Sequence, residues 1–114
     1  MWNKYHARKV TVNGEKFDSK HEADRYWELS LLARAGKITK LRRQVPFMLL
    51  EAQYDDEGRL LERNVRYIAD FVYEQDGKTV VEDAKGLKKG AAYELFVLKR
   101  KLMLLVYNIR VKET

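Results

Sequence analysis

The dipeptide Asp76-Gly77 constrains this chain more than any other feature. It lies between two runs rich in Val, Tyr, Ile and Phe, at 65–74 and 79–85. Asp-Gly is favoured in two-residue type I′ turns, where both central residues need positive φ and the turn's twist matches that of paired strands. Such a turn pairs Gln75 with Lys78, Tyr73 with Val80, Phe71 with Glu82 and Asp70 with Asp83. The last is then a non-hydrogen-bonded pair, with Cα atoms about 4.5 Å apart. Two carboxylates placed directly across a ladder repel unless a proton or a cation lies between them. Side chains alternate with period two, so Thr79, Val81, Asp83 and Lys85 share one face while Glu82 and Ala84 point the other way. The flanking residues Ile68, Val72 and Val81 are apolar. A charged group is therefore expected inside a hydrophobic layer, a pattern that is costly for folding and ordinary for a site. A three-residue loop would instead pair Asp70 with Glu82 and turn Lys85 to the opposite face.

The remaining elements follow from turn and cap signals. Asn13-Gly14 predicts a hairpin between 10–12 and 16–17. A helix is expected from about 19 to 35, with Ser19 and Glu22 in capping-box spacing and Gly36 just beyond its end. Residues 38–50 look extended, with Pro46 pointing to an edge or a bulge. Residues 54–58 form an acidic loop and 86–90 a basic one. A second helix is expected over 92–107 and a short strand over 109–112. The order is roughly ββ-α-β-β-β-α-β, an α/β (α+β mixed) fold with a mixed central sheet flanked by two helices. On the second helix Leu95, Leu98, Leu102, Leu105 and Val106 form one apolar stripe, and Phe96, Met103 and Tyr107 another. One sheet cannot cover both. The second stripe meets either the first helix or a loop, or another surface such as a second copy of the chain.

With 114 residues, the chain reads as a single domain over 1–114. It has no cysteine, which excludes disulfides, thiolate zinc, iron–sulfur clusters and cysteine nucleophiles, and suits a reducing cytoplasm. His6 and His21 are its 2 histidines, too few for a histidine-rich metal centre. The longest apolar run, 102–107, is far short of the ~20 residues of a membrane span, and the polar opening lacks the apolar core of a signal peptide. A cytoplasmic protein with no membrane association is the expectation. The net charge of +6 is unevenly spread: 85–101 is strongly basic and 51–62 strongly acidic. That segregation suits a polyanionic partner such as nucleic acid.

On the first helix Glu22 falls in the apolar stripe with Tyr26, Leu29 and Ala33, whereas Asp24, Arg25 and Glu28 lie on the other side. An inward acid needs a cation, a donor or a proton. Glu22 is thus either the reciprocal partner of Ser19 in a capping box, or a third acid joining Asp70, Asp83 and Lys85. Hard oxygen ligands with open positions suit Mg²⁺ or Mn²⁺ beside a substrate phosphate. The competing reading is a buried ion pair of Lys85 with Asp70 or Asp83 that does no chemistry.

Asp70, followed at a distance by Asp83-Ala84-Lys85 and preceded by a helix bearing Glu22, resembles the PD-(D/E)xK nuclease superfamily. The segments Asn3-Lys-Tyr-His-Ala-Arg-Lys9, Phe17-Asp-Ser-Lys-His-Glu-Ala23, Tyr67-Ile-Ala-Asp-Phe71 and Val80-Val-Glu-Asp-Ala-Lys-Gly86 further resemble small phage and prophage endonucleases of the Holliday-junction-resolvase type. Ala69 stands where the motif's name has proline, and Asp83 where glutamate is commoner. The resemblance implies a restriction-endonuclease-like αβββαβ core. It also implies Glu22, Asp70, Asp83 and the Ala84 carbonyl as metal ligands, with Lys85 as the catalytic lysine.

The expected activity is Mg²⁺-dependent (or Mn²⁺-dependent) hydrolysis of phosphodiesters in branched DNA during recombination or replication, without an organic cofactor. Expected DNA contacts are Lys88, Lys89, Lys99, Lys4, Arg42, Arg43, Gln44 and Arg66, with phosphate contacts supplying affinity rather than sequence information. A homodimer would place one site at each of a junction's two symmetric cleavage points. The alternatives are a non-catalytic basic binding module, and a nuclease of the same kind acting on nicked, flap or linear duplex DNA.

Overall fold

The turn at 76–77 has the expected form. Asp76 (φ 52°) and Gly77 (φ 77°) are both left-handed in the computed structural model, which describes residues 9–12 and 14–114. Lys4 and Asn13 lie outside the described residues. The turn joins β6 (Val65–Gln75) to β7 (Lys78–Asp83), with Gln75 opposite Lys78, Tyr73 opposite Val80 and Phe71 opposite Glu82. Upstream are β1 (Val10–Val12), β2 (Glu15–Phe17), α1 (Lys20–Arg34), β3 (Thr39–Leu50), β4 (Gln53–Tyr54) and β5 (Leu60–Glu62). Downstream are α2 (Ala91–Tyr107) and β8 (Lys112–Glu113). The central sheet runs β3-β6-β7-β8, antiparallel except for the parallel β7–β8 pair. β3 is an edge strand, which suits Pro46.

This is the expected mixed sheet with two helices, with two differences. β4 and β5 make a small hairpin of their own around the acidic turn, where the Asp55 side chain accepts the N–H groups of Glu57 and Arg59. The last strand is shifted, because the chain leaves α2 through Asn108 in the left-handed conformation (φ 57°) before pairing at Lys112.

Alternation on β6 and β7 sorts the core into two layers. Phe71 and Tyr73 pack with Leu29 of α1 and with Ile38. Val72 and Val81 pack with Phe96 and Met103 of α2. Each helix therefore covers one face of the sheet. The β3–β6 ribbon does not keep its faces along its length. Near the turn, odd positions (Leu41 on β3; Phe71 and Tyr73 on β6) face α1; farther out, odd positions (Val45, Phe47 and Leu49; Val65, Tyr67 and Ala69) face α2. The exchange falls at Gln44 and Asp70, which face each other between the ladder pairs Arg43–Phe71 and Val45–Ala69 without making one themselves. Gln44 has a φ of 52° there. One consequence corrects the sequence expectation: Ile68 does not line the buried layer but is 48% exposed.

α1 is also tied to the sheet by charge. Arg25 Nε and Nη2 donate to the two carboxylate oxygens of Glu82, each at 2.8 Å, and the Tyr73 hydroxyl donates to Glu82 as well. Glu82 is fully buried. Burial acts to raise its pKa, but the Arg25 and Tyr73 bonds outweigh it and hold the carboxyl below its ordinary value. Removing one partner of such a pair strands a buried charge. Arg25→Met is expected to lower urea stability by about 3–5 kcal/mol. The double variant with Glu82→Met is expected to recover at least half of that loss; no recovery would mean that charge compensation is not what Arg25 supplies.

Candidate active site

The start of α1, the first half of β6, the end of β7 and the start of α2 meet at a cleft of about 410 Å³, lined among others by Ser19, Glu22, Gln44, Asp70, Asp83 and Lys85. Each acid is placed by local chemistry. Ser19 caps α1 by accepting the Glu22 N–H at 3.1 Å, as a capping box requires. The reciprocal bond is different: Glu22 Oε1 accepts the Asp18 N–H at 3.0 Å, leaving Oε2 directed at Gln44. Glu22 is 3% exposed, and the Ser19 N–H is not its partner. It belongs to the helix start, and it lines the cleft.

Asp83 lies at the end of β7, where its carbonyl accepts the Thr114 N–H and the Lys85 N–H bonds back to Thr114. Its carboxylate takes the Tyr67 hydroxyl at 2.6 Å on Oδ2 and the Lys85 ammonium at 2.9 Å on Oδ1. The Lys85 Nζ also sits 4.1 Å from the Phe96 ring centroid, a cation–π contact that fixes its position. Asp70 Oδ2 accepts the Ala84 N–H at 2.9 Å, and Oδ1 takes the Gln44 side-chain amide at 3.2 Å. Among the described residues no basic side chain pairs with Asp70. Burial first, and the Asp70 charge second, push the Asp83 carboxyl up to about 6, although Tyr67 and Lys85 both favour its ionised form. Burial also raises Asp70, against the opposing bond from Ala84, and the Glu22 charge adds to the rise. One lysine beside two carboxylates leaves this site short of positive charge.

The structure thus brings Asp70, Asp83 and Lys85 together and turns Glu82 to the far side. Glu22 is linked to them through Gln44. Among the described residues no group of three His, Asp or Glu side chains forms a ready-made metal cage. Ala84 lines the cleft. Of the expected DNA contacts, Arg66 and Lys99 stand at the cleft, while Lys88, Lys89 and Arg42 are exposed outside it. Arg43 is engaged inward, bonded to Glu15 and to the Lys16 carbonyl and lying 3.9 Å from the Phe17 ring centroid. Gln44 belongs to the acids themselves. Nothing in the sequence marks Tyr67 as a partner of Asp83. Strict alternation puts it on the face opposite Asp83, and only the exchange of faces at Asp70 brings its hydroxyl there.

Residues 2–113 match the model of a family described as a protein of unknown function, DUF1064. The chain belongs to that family. No curated protein and no solved structure matches it. No helix among the described residues is long and apolar enough to cross a membrane.

The raised carboxyls carry a pH signature. A folded-state pKa above the unfolded value means that the native chain holds protons the unfolded chain has released, so stability rises as pH falls through about 6. Glu82 and Glu113 are shifted the other way, and their contributions are lost only below the unfolded carboxyl range near ~4.5. Melting in chelator is therefore expected to shift upward from pH 7.5 to pH 5. Asp70→Asn is expected to add on the order of 1–2 kcal/mol at pH 7.5 and much less at pH 5. A variant less stable than the parent at pH 7.5 would contradict this account.

Proposed function

We propose that this chain is a metal-dependent DNA endonuclease, structure-selective for branched DNA in the manner of Holliday junction resolvases and serving phage or prophage recombination or replication. The observation that carries the reading is the convergence of Asp70, Asp83 and Lys85 on one cleft, under-compensated in charge, while the neighbouring Glu82 is fully satisfied elsewhere. The donor set fits Mg²⁺ or Mn²⁺: hard carboxylate oxygens from Asp70 and Asp83, with Glu22 and Ala84 lining the same cleft and the Ala84 carbonyl the further ligand the proposal assigns. A divalent ion held there would supply a Lewis acid for the scissile phosphate.

The chain's own residues have separable tasks. Tyr67 orients the Asp83 carboxylate through its 2.6 Å bond. Lys85, braced between Asp83 and Phe96, offers an ammonium to charge growing on a phosphate oxygen. Arg66 and Lys99 stand at the cleft to take flanking phosphates. Beside them Ile68 and Leu95 are 48% and 52% exposed. Intact duplex presents chiefly phosphate and groove edges, so these apolar side chains favour DNA whose base faces are uncovered, as at a branch. In a pure preparation with Mg²⁺, Asp70→Ala and Lys85→Ala are each expected to cut four-way junctions at least ~100-fold more slowly than the parent. Undiminished cleavage by a folded variant ends the proposal. Equal cutting of junction, flap, nicked and linear duplex would remove the branched substrate and leave the nuclease.

Beyond the cleft one stripe of α2 is bare: Leu98 and Leu105 are 54% and 80% exposed. Self-association through it would pair two clefts about a two-fold axis. Light scattering at micromolar concentration is expected to give a dimer mass, reduced to a monomer by Leu98→Glu with Leu105→Glu. A monomeric parent that cuts junctions would dispose of the dimer.

A further inference from the structure

Glu22 and Asp70 are satisfied in the same divided way. Each has one oxygen fixed by a backbone N–H, from Asp18 at 3.0 Å and from Ala84 at 2.9 Å. Each points its other oxygen at the same atom, Gln44 Nε2, at 3.4 and 3.2 Å. The orientation of that amide is dictated by its surroundings, since a carbonyl oxygen turned toward two carboxylates would be repelled. The backbone supports the placement at a cost. Gln44 has a φ of 52°, a conformation in which glutamine has no local advantage. It stands where the β3–β6 ribbon exchanges faces, so its side chain belongs to neither packed layer.

We propose that the Gln44 carboxamide holds the place of a cation between Glu22 and Asp70 in the metal-free protein, and so sets how strongly the site takes up a divalent ion. The inference rests on the reading of this cleft as a metal site. An amide is suited to the task because its compensation is partial. Its two N–H groups carry only partial charge, enough to let two acids stand near each other but weak enough for a divalent ion to displace. A lysine at the same point would satisfy both acids permanently. Among the described residues neither Glu22 nor Asp70 is paired with a lysine, arginine or histidine, so the amide is the only side-chain donor they share. Gln44 acts through the two acids and is a positioning residue.

The test uses the whole chain, with Mn²⁺ and Mg²⁺ binding followed by calorimetry and melting followed with and without chelator. Alanine and lysine replacements keep the left-handed backbone equally disfavoured, whereas glycine would relax it and blur the result. Gln44→Ala is expected to melt lower in chelator, to bind Mn²⁺ at least about three-fold more tightly, and to show a larger metal-induced rise in melting temperature. Gln44→Lys is expected to melt higher in chelator and to lose the metal-induced rise. Circular dichroism confirms that each variant is folded. Unchanged or weaker metal binding by Gln44→Ala, or a Gln44→Lys chain that responds to metal like the parent, overturns the proposal while leaving the metal reading in place. A parent chain with no response to either ion overturns both.

Discussion

The repulsion between Asp70 and Asp83 is the constraint around which the rest of the cleft is arranged. The β6–β7 hairpin and the cleft beside it bring the two together. Once Asp76 and Gly77 take their left-handed turn, Phe71 falls opposite Glu82 as the last pair of the ladder, and Asp70 and Asp83 are the next residue on each strand. The surrounding structure does not abolish the conflict. Tyr67 and Lys85 serve Asp83 while Ala84 and Gln44 serve Asp70, and burial still drives both carboxyls upward. A chain selected for stability alone would place an apolar pair here, as it does two steps inward at Val72 and Val81, both 1% exposed. Keeping two acids at this point instead sacrifices stability, which is how functional sites commonly break the local rules of folding.

The twist of the long β3–β6 ribbon opens the cleft. If its residues alternated without interruption, Gln44 and Asp70 would be ordinary ladder partners under one helix. Instead the outer half of the ribbon turns its odd residues toward α2 and the inner half turns them toward α1. The two residues at the crossing are committed to neither layer. The N-terminus of α1 approaches the same point, held by its Ser19 cap, and brings Glu22 beside it. Packing of two helices on opposite faces and assembly of the acidic cluster are therefore consequences of the same local irregularity.

The parts of this arrangement legible in the sequence are those governed by short-range rules. Asp-Gly specifies its turn, the turn specifies the register, and the register identifies Asp70, Asp83 and Lys85 and dismisses Glu82. The Ser19 cap and the glycine after α1 are equally local, as Gly36 with its φ of 74° shows. Period-two alternation failed where the period itself changes. It put Ile68 in the buried layer and gave no reason to connect Tyr67 with Asp83. Arg43 looked like a free cation because nothing in its neighbourhood along the chain reveals that Phe17, Tyr26 and Glu15 come to meet it. The sequence offers Gln44 only as a DNA contact, because its bonds to two acids depend on a positive φ that glutamine does not announce.

The contrast between Glu82 and Asp83 carries the functional reading further than any single distance. The two are adjacent in sequence, both are buried, and they are opposed in environment. Glu82 receives a guanidinium fork with matched geometry and a phenol, so its charge is stabilised by fixed groups and has no capacity left for a ligand. Asp83 also has a phenol, but in place of the guanidinium fork it has a single ammonium, which stands at the cleft, and the unneutralised Asp70 beside it. An acid of the first kind fastens a helix to a sheet; an acid of the second kind is one whose environment improves when a cation arrives. Because alternation places the two on opposite faces, a single strand can do both. The Glu82 charge is sealed under α1, and the Asp83 charge lies at the cleft, where the proposed chemistry would have the metal and a phosphate meet it.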